Sequence, residues 1–95
     1  MPEEDPQLLQ EVIQRQERRV AQARAEVAQL ERELRMVQMR RRMLERAGRQ
    51  DLALALESEE HVLEQRLAAA QRVAADEEDA LAIYSRQKNL AAARS

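Results

Sequence analysis

Ala47-Gly48-Arg49-Gln50-Asp51 is the stretch that decides how this chain folds. Gly48 is the only glycine among the 95 residues, and glycine enters the left-handed backbone region without a side-chain penalty, which is how many helices stop. Asp51 can cap a helix that starts after it. Working outward, nothing else breaks the chain, because both prolines, Pro2 and Pro6, sit at the start. Asp5 can act as an N-cap with Pro6 at the first helical position, where its missing N–H costs nothing. The expected layout is one domain: an acidic lead over 1–5, helix over 6–47, a turn over 48–51 and helix over 52–95.

The first helical stretch carries a sustained heptad seam. Leu9, Ile13, Gln16, Val20, Ala23, Val27, Leu30, Leu34, Val37, Arg41 and Leu44 follow alternating steps of three and four, which keeps one face of a helix turned toward a partner helix. The second stretch has a weaker seam through Leu56, Glu60, Leu63, Leu67, Ala70, Ala74, Glu77, Leu81, Tyr84, Lys88 and Ala91. Each helix would run roughly 60 Å at the usual rise per residue, and their near-equal lengths suit folding back on one another.

Charge favours the same arrangement. From Gln7 to Arg49 there are eleven basic and six acidic residues, whereas from Asp51 to Ser95 there are five basic and nine acidic. Exposed ion pairs contribute under about 1 kcal/mol each, so the opposite signs select the partner helix more than they hold it. The expected fold is all-α: a long antiparallel two-helix coiled-coil hairpin, self-associating into a four-helix bundle or larger helical assembly. A continuous rod dimerising along its length is the competing arrangement, since glycine inside a helix costs only about 1 kcal/mol.

Composition excludes several classes of function. Charged residues are 36% of the chain and Tyr84 is the only aromatic, a profile of long helices rather than a compact mixed fold. Sixteen basic and eighteen acidic residues nearly cancel, so no global field recruits nucleic acid or an anionic membrane. The absence of cysteine rules out disulfides, thiolate metal sites and a cysteine nucleophile. The acidic opening has neither the basic region nor the apolar core of a signal peptide, so a cytoplasmic protein is expected. Fifteen arginines against one lysine, with seventeen alanines, suit a GC-rich bacterial genome.

Three sets of residues could carry function. Met36, Met39 and Met43 recur at helical spacing on the face of the first helix opposite its seam, and methionine adapts to irregular partner surfaces. Val62, Ala69, Val73, Ala80, Ile83 and Leu90 form a second stripe on the second helix. Two stripes need more than one neighbouring helix, which two hairpins or a larger stack would supply. The expected interface is therefore Met36, Met39, Met43, Val62, Val73, Ile83 and Leu90, with homo-oligomer packing ahead of an unknown protein partner.

Arg35, Arg40, Arg42, Arg46 and Arg49, with Arg41 among them, concentrate positive charge near the turn, where Glu57, Glu59 and Glu60 can pair with them. No aromatic side chain is near to stack a base, so nucleic acid is not expected and a membrane surface is disfavoured. His61 shares a helix face with Glu57 and Glu64, a spacing that helices of this composition meet by chance, and no metal or other cofactor is expected. Glu77, in the run Asp76-Glu77-Glu78-Asp79, is expected to face an arginine of the first helix. No convergent polar pocket suggests an enzyme.

The stretch Arg42-Met43-Leu44-Glu45-Arg46-Ala47-Gly48-Arg49-Gln50-Asp51-Leu52-Ala53-Leu54-Ala55-Leu56-Glu57 resembles the hairpin tip of the phage-shock-protein A family, in which an Ala/Leu-rich segment leads through a glycine turn into another Ala/Leu/Glu helix. The resemblance implies a cytoplasmic, membrane-stress-linked helical-hairpin protein. Family members are longer and begin with an amphipathic membrane-binding helix, where this chain has an acidic, proline-flanked start. The expected function is a non-enzymatic scaffold or adaptor acting through helix–helix self-association and partner binding. Competing readings are a secretion-apparatus stalk or export chaperone, a membrane-stress protein of that family, a nucleic-acid or anionic-membrane binder acting through the arginine cluster with steep salt dependence, and a metal-dependent enzyme.

Overall fold

In the computed structural model, which describes residues 6–94, the chain is two helices joined by a tight turn. Helix α1 spans Pro6–Arg46 and α2 spans Gln50–Arg94. They lie antiparallel along one seam in a particle of 71 × 16 × 16 Å, so Pro6 and Arg94 come to the same end and Gly48 forms the opposite tip. The fold is an all-α hairpin, and the continuous rod is excluded for this chain as it stands. The acidic lead over 1–5, with the Asp5 cap, lies outside the described residues.

Gly48 breaks the helix as its chemistry requires, with φ at +74°. The Arg49 N–H donates to the Leu44 carbonyl at 2.8 Å and the Gly48 N–H to the Glu45 carbonyl at 3.1 Å. This pair of bonds is the Schellman closure that satisfies the last carbonyls of a helix. The second helix starts two residues earlier than the capping pattern suggests. The Ala53 N–H donates to the Arg49 carbonyl at 3.0 Å, which makes Arg49 the N-cap and puts Asp51 inside the first turn. There its carboxylate meets the positive end of the helix dipole, and Arg49 Nε lies 3.6 Å from Asp51 Oδ1.

All eleven seam positions of α1 are buried or half-buried. At the middle of the hairpin Leu30 and Val37 pack with Leu63 and Ala70, and Val27, Leu34, Leu56 and Leu67 close around them. On α2 the seam holds from Leu56 to Tyr84, whereas Lys88 and Ala91 are exposed, close to where α1 ends. The seam also reaches one step further toward the turn than the spacing of larger residues indicates. Ala53, at 2% exposure, is the most buried residue of the core, because a small side chain lets the helices approach closely beside the turn.

Candidate interaction surface

Two polar groups sit in the seam and fix how the helices align. Gln16 is buried, and its Nε2 donates to Glu77 Oε2 at 2.6 Å and to the Glu77 carbonyl at 2.8 Å. Glu77 therefore faces a glutamine rather than the arginine expected of it. The neighbouring carboxylate takes that role, with Arg24 Nε donating to Glu78 Oε1 at 2.7 Å. Nearer the tip, Arg41 Nε donates to Glu60 Oε2 at 2.6 Å and Arg41 Nη1 to Glu45 Oε1 at 2.8 Å. Gln38 Nε2 adds a bond to Glu60 Oε1 at 3.2 Å.

This cluster is electrostatically satisfied. The hydrogen bond from Arg41, then that from Gln38 and the positive charges of Arg41 and Arg42, hold the Glu60 carboxyl below its ordinary value against a smaller opposing effect of burial. The Arg41 guanidinium is held above its own ordinary value, first by the bond to Glu60 and then by that to Glu45. Among the described residues no buried side-chain nitrogen or oxygen lacks a partner. The cluster acts as a structural latch that ties α1 to α2 near the tip.

The apolar side chains outside the seam are a different case. Met36, Met39 and Met43 are 63%, 62% and 63% exposed on the outer face of α1. Val62, Val73, Ile83 and Leu90 are more than half exposed on α2, while Ala69 is exposed and Ala80 half-buried. Three further leucines belong to these faces and were not singled out by spacing: Leu8 on α1, and Leu52 and Leu54 on α2. Leu8 stands next to a seam residue, Leu9, and extends the row of Met36 and Met43 by whole heptads, a signal that was available. Leu54 lies among leucines at every second position, where a helical reading must choose which ones face inward.

Arginines border the methionines. Arg35, Arg40, Arg42, Arg46 and Arg49 are all exposed, and among these five only Arg49 forms an ion pair within the described residues. Arg41 points into the seam instead. On the tip half of α2 the residues Asp51, Glu57, Glu59 and Glu64 are exposed. His61 is exposed as well; Gln65 Nε2 lies 3.2 Å from His61 Nε2, within hydrogen-bonding distance for the tautomer that carries its proton on Nδ1. Among the described residues no three His, Cys, Asp or Glu side chains converge as a metal site. A shallow open groove between the helices is lined by Arg24, Val27, Gln71, Ala74, Ala75 and Glu78, where alanines leave the seam thin.

No helix among the described residues is long and apolar enough to cross a membrane. In comparisons with known proteins, no family model matches the chain, and no curated protein or solved structure is significantly similar to it. The surface itself is what bears on function.

Proposed function

We propose that the protein is a non-enzymatic scaffold whose hairpin associates with other helices through the outer face of α1 and the second stripe of α2. The observation that supports this is the row of three methionines, each more than three-fifths exposed on a helix whose seam is already filled. Isolated exposed apolar residues are normal, but a row of long, adaptable side chains on one face leaves a large apolar area in water unless another helix covers it. The bordering arginines would orient an approaching partner and keep the free surface from sticking at random.

Substituting Met36, Met39 and Met43 together with Glu tests the proposal. Three buried carboxylates should weaken association more than tenfold, read by light scattering and by the proteins co-purifying with the chain. Helicity by circular dichroism should stay unchanged, since none of the three touches the seam. An unaltered mass together with an unaltered set of bound proteins would remove the proposal.

A further inference from the structure

We propose that α2 carries a second heptad seam on which the α2 of another copy docks, antiparallel and about a twofold axis, closing a dimer whose two tips lie at opposite ends. The inference rests on the scaffold reading above and names the occupant of the α2 stripe.

That stripe belongs to a longer pattern. From Leu52 to Leu90 an unbroken series of twelve positions follows alternating steps of three and four, beside the seam that α1 fills, and eight of the twelve are apolar. Leu52, Val62, Val73, Ile83 and Leu90 are each more than two-fifths exposed. Of the twelve only Ala80 is half-buried; the rest are exposed. The corresponding face of α1 is broken by Arg15, Arg19, Glu26, Glu33 and Arg40, so α2 alone has a seam on two sides.

The series is complementary to itself. Laid antiparallel on its own copy with the axis level with Gln71, it sets Leu52 opposite Leu90, Val62 opposite Ala80 and Ala69 opposite Val73. Arg66 and Asp76, the charges of the series nearest the axis, fall opposite each other twice. Neither forms an ion pair within the described residues of the hairpin. The two remaining layers are mixed, Ala55 with Gln87 and Glu59 with Ile83. Polar seam positions of this kind cost stability and fix register.

Charge selects this register and orientation. A parallel pairing sets Glu59, Arg66 and Asp76 each against its own copy. A shift of one heptad sets Glu59 against Asp76 in one direction; in the other it leaves Arg66 against Ile83 and Asp76 against Val73. At the edges of the strip, Asp51 and Glu57 come level with the other copy's open end, which from Ala80 to Arg94 carries Arg86, Lys88 and Arg94 and no acidic residue. Arg72 comes near its own counterpart, one turn from Asp76 on the same helix.

The arginines of α1 stand one helix further from the partner, roughly 10 Å, where salt screens them. The contacts of Arg41 with Glu60 and Arg24 with Glu78 give their level. Arg15, Arg18 and Arg19 come level with the other copy's Glu57 and Glu59, and Arg35, Arg40 and Arg42 with the stretch between its acidic run and Arg86. Because both copies use the same surface, the contact is complete at two chains and does not propagate. The methionine face of each α1 stays open for a different partner.

The chain has no cysteine, which allows a direct test. Chains carrying Val62→Cys are mixed with chains carrying Ala80→Cys and treated with a short thiol cross-linker. The expected product is a covalent pair with one chain of each kind, and little from either alone. A chain carrying both substitutions should stop at a covalent dimer, since the two positions are roughly 27 Å apart on one helix and beyond an internal link. Arg66→Asp should raise the dissociation constant of the dimer tenfold or more, read by sedimentation, and adding Asp76→Arg to it should restore most of the affinity.

Cross-linking of Val62→Cys chains to each other, a ladder from the doubly substituted chain, or a mass unchanged by Arg66→Asp would each overturn the arrangement, as would a monomer at every concentration. The methionine-to-glutamate variant should keep this dimer and change only the bound proteins, so the two readings fail separately. A monomer that still loses bound proteins in that variant sinks the dimer and leaves the scaffold reading standing.

Discussion

At the scale of single residues, the most informative side chain is Glu60. Its side chain is only 13% exposed and accepts hydrogen bonds from both Arg41 and Gln38. Because its pKa is lowered on folding, the stability it contributes is present above the ordinary carboxylate range and is lost as pH falls through the depressed value. Glu60→Gln should therefore lower stability at neutral pH by about 1 kcal/mol, a magnitude typical of one partly shielded charged hydrogen bond. Urea midpoints of the two proteins should converge in acid, below the ordinary carboxylate value. A gap that persists there would assign the loss to packing instead.

The residue scale is also where the sequence is hardest to read. The pairing of Arg41 with Glu60 was legible, since both are charged residues on seam positions near the turn. The partner of Glu77 was not, because Gln16 and Arg24 lie two turns apart on α1 and either could reach the acidic run; only the packed structure shows that the amide occupies the seam while the guanidinium stays at its edge. Ala53 escaped notice for a related reason. In a helix with this much alanine, periodicity of large side chains locates the seam but does not show which small residue ends it.

At the scale of elements, the hairpin depends on the turn. Nothing lies within 4 Å of a Cβ placed on Gly48, so a substitution there meets no neighbour and its cost is that of the backbone conformation alone. Gly48→Ala should lower stability by about 1 kcal/mol and lower the thermal midpoint by several degrees, with the hairpin retained. Scattering is the check: an extended particle in that variant would mean that the glycine, rather than the seam, selects the hairpin. The seam of α1 was fully legible because its apolar positions are large and regularly spaced. That of α2 faded toward Lys88 and Ala91 because a charged and a small residue stand there in place of large apolar ones, and both are exposed.

At the scale of the whole molecule, the shape is a rod 71 Å long and 16 Å thick. Association through the outer faces, as the scaffold reading expects, would thicken such a particle without lengthening its helical axis. Small-angle scattering across a concentration series should show a growing cross-section, while the rise along the helices stays near the 71 Å of one hairpin. Growth along the rod axis would mean end-to-end contacts instead. The all-α hairpin was legible because one glycine divides two stretches of equal length and opposite charge. Which exposed apolar residues of the two helices stand level with one another was not, since that depends on how the two helices align.

Because Pro6 and Arg94 lie at the same end of the hairpin, tension between them acts on one pair of facing residues at a time. The helices peel apart from the open end, as a zipper does, instead of sliding past each other under shear. Gln16 with Glu77 is a polar clasp in the path of that fork, and Arg41 with Glu60 another nearer the turn. Mechanically the molecule is weak when pulled at its ends, and it would resist best when held along its flank.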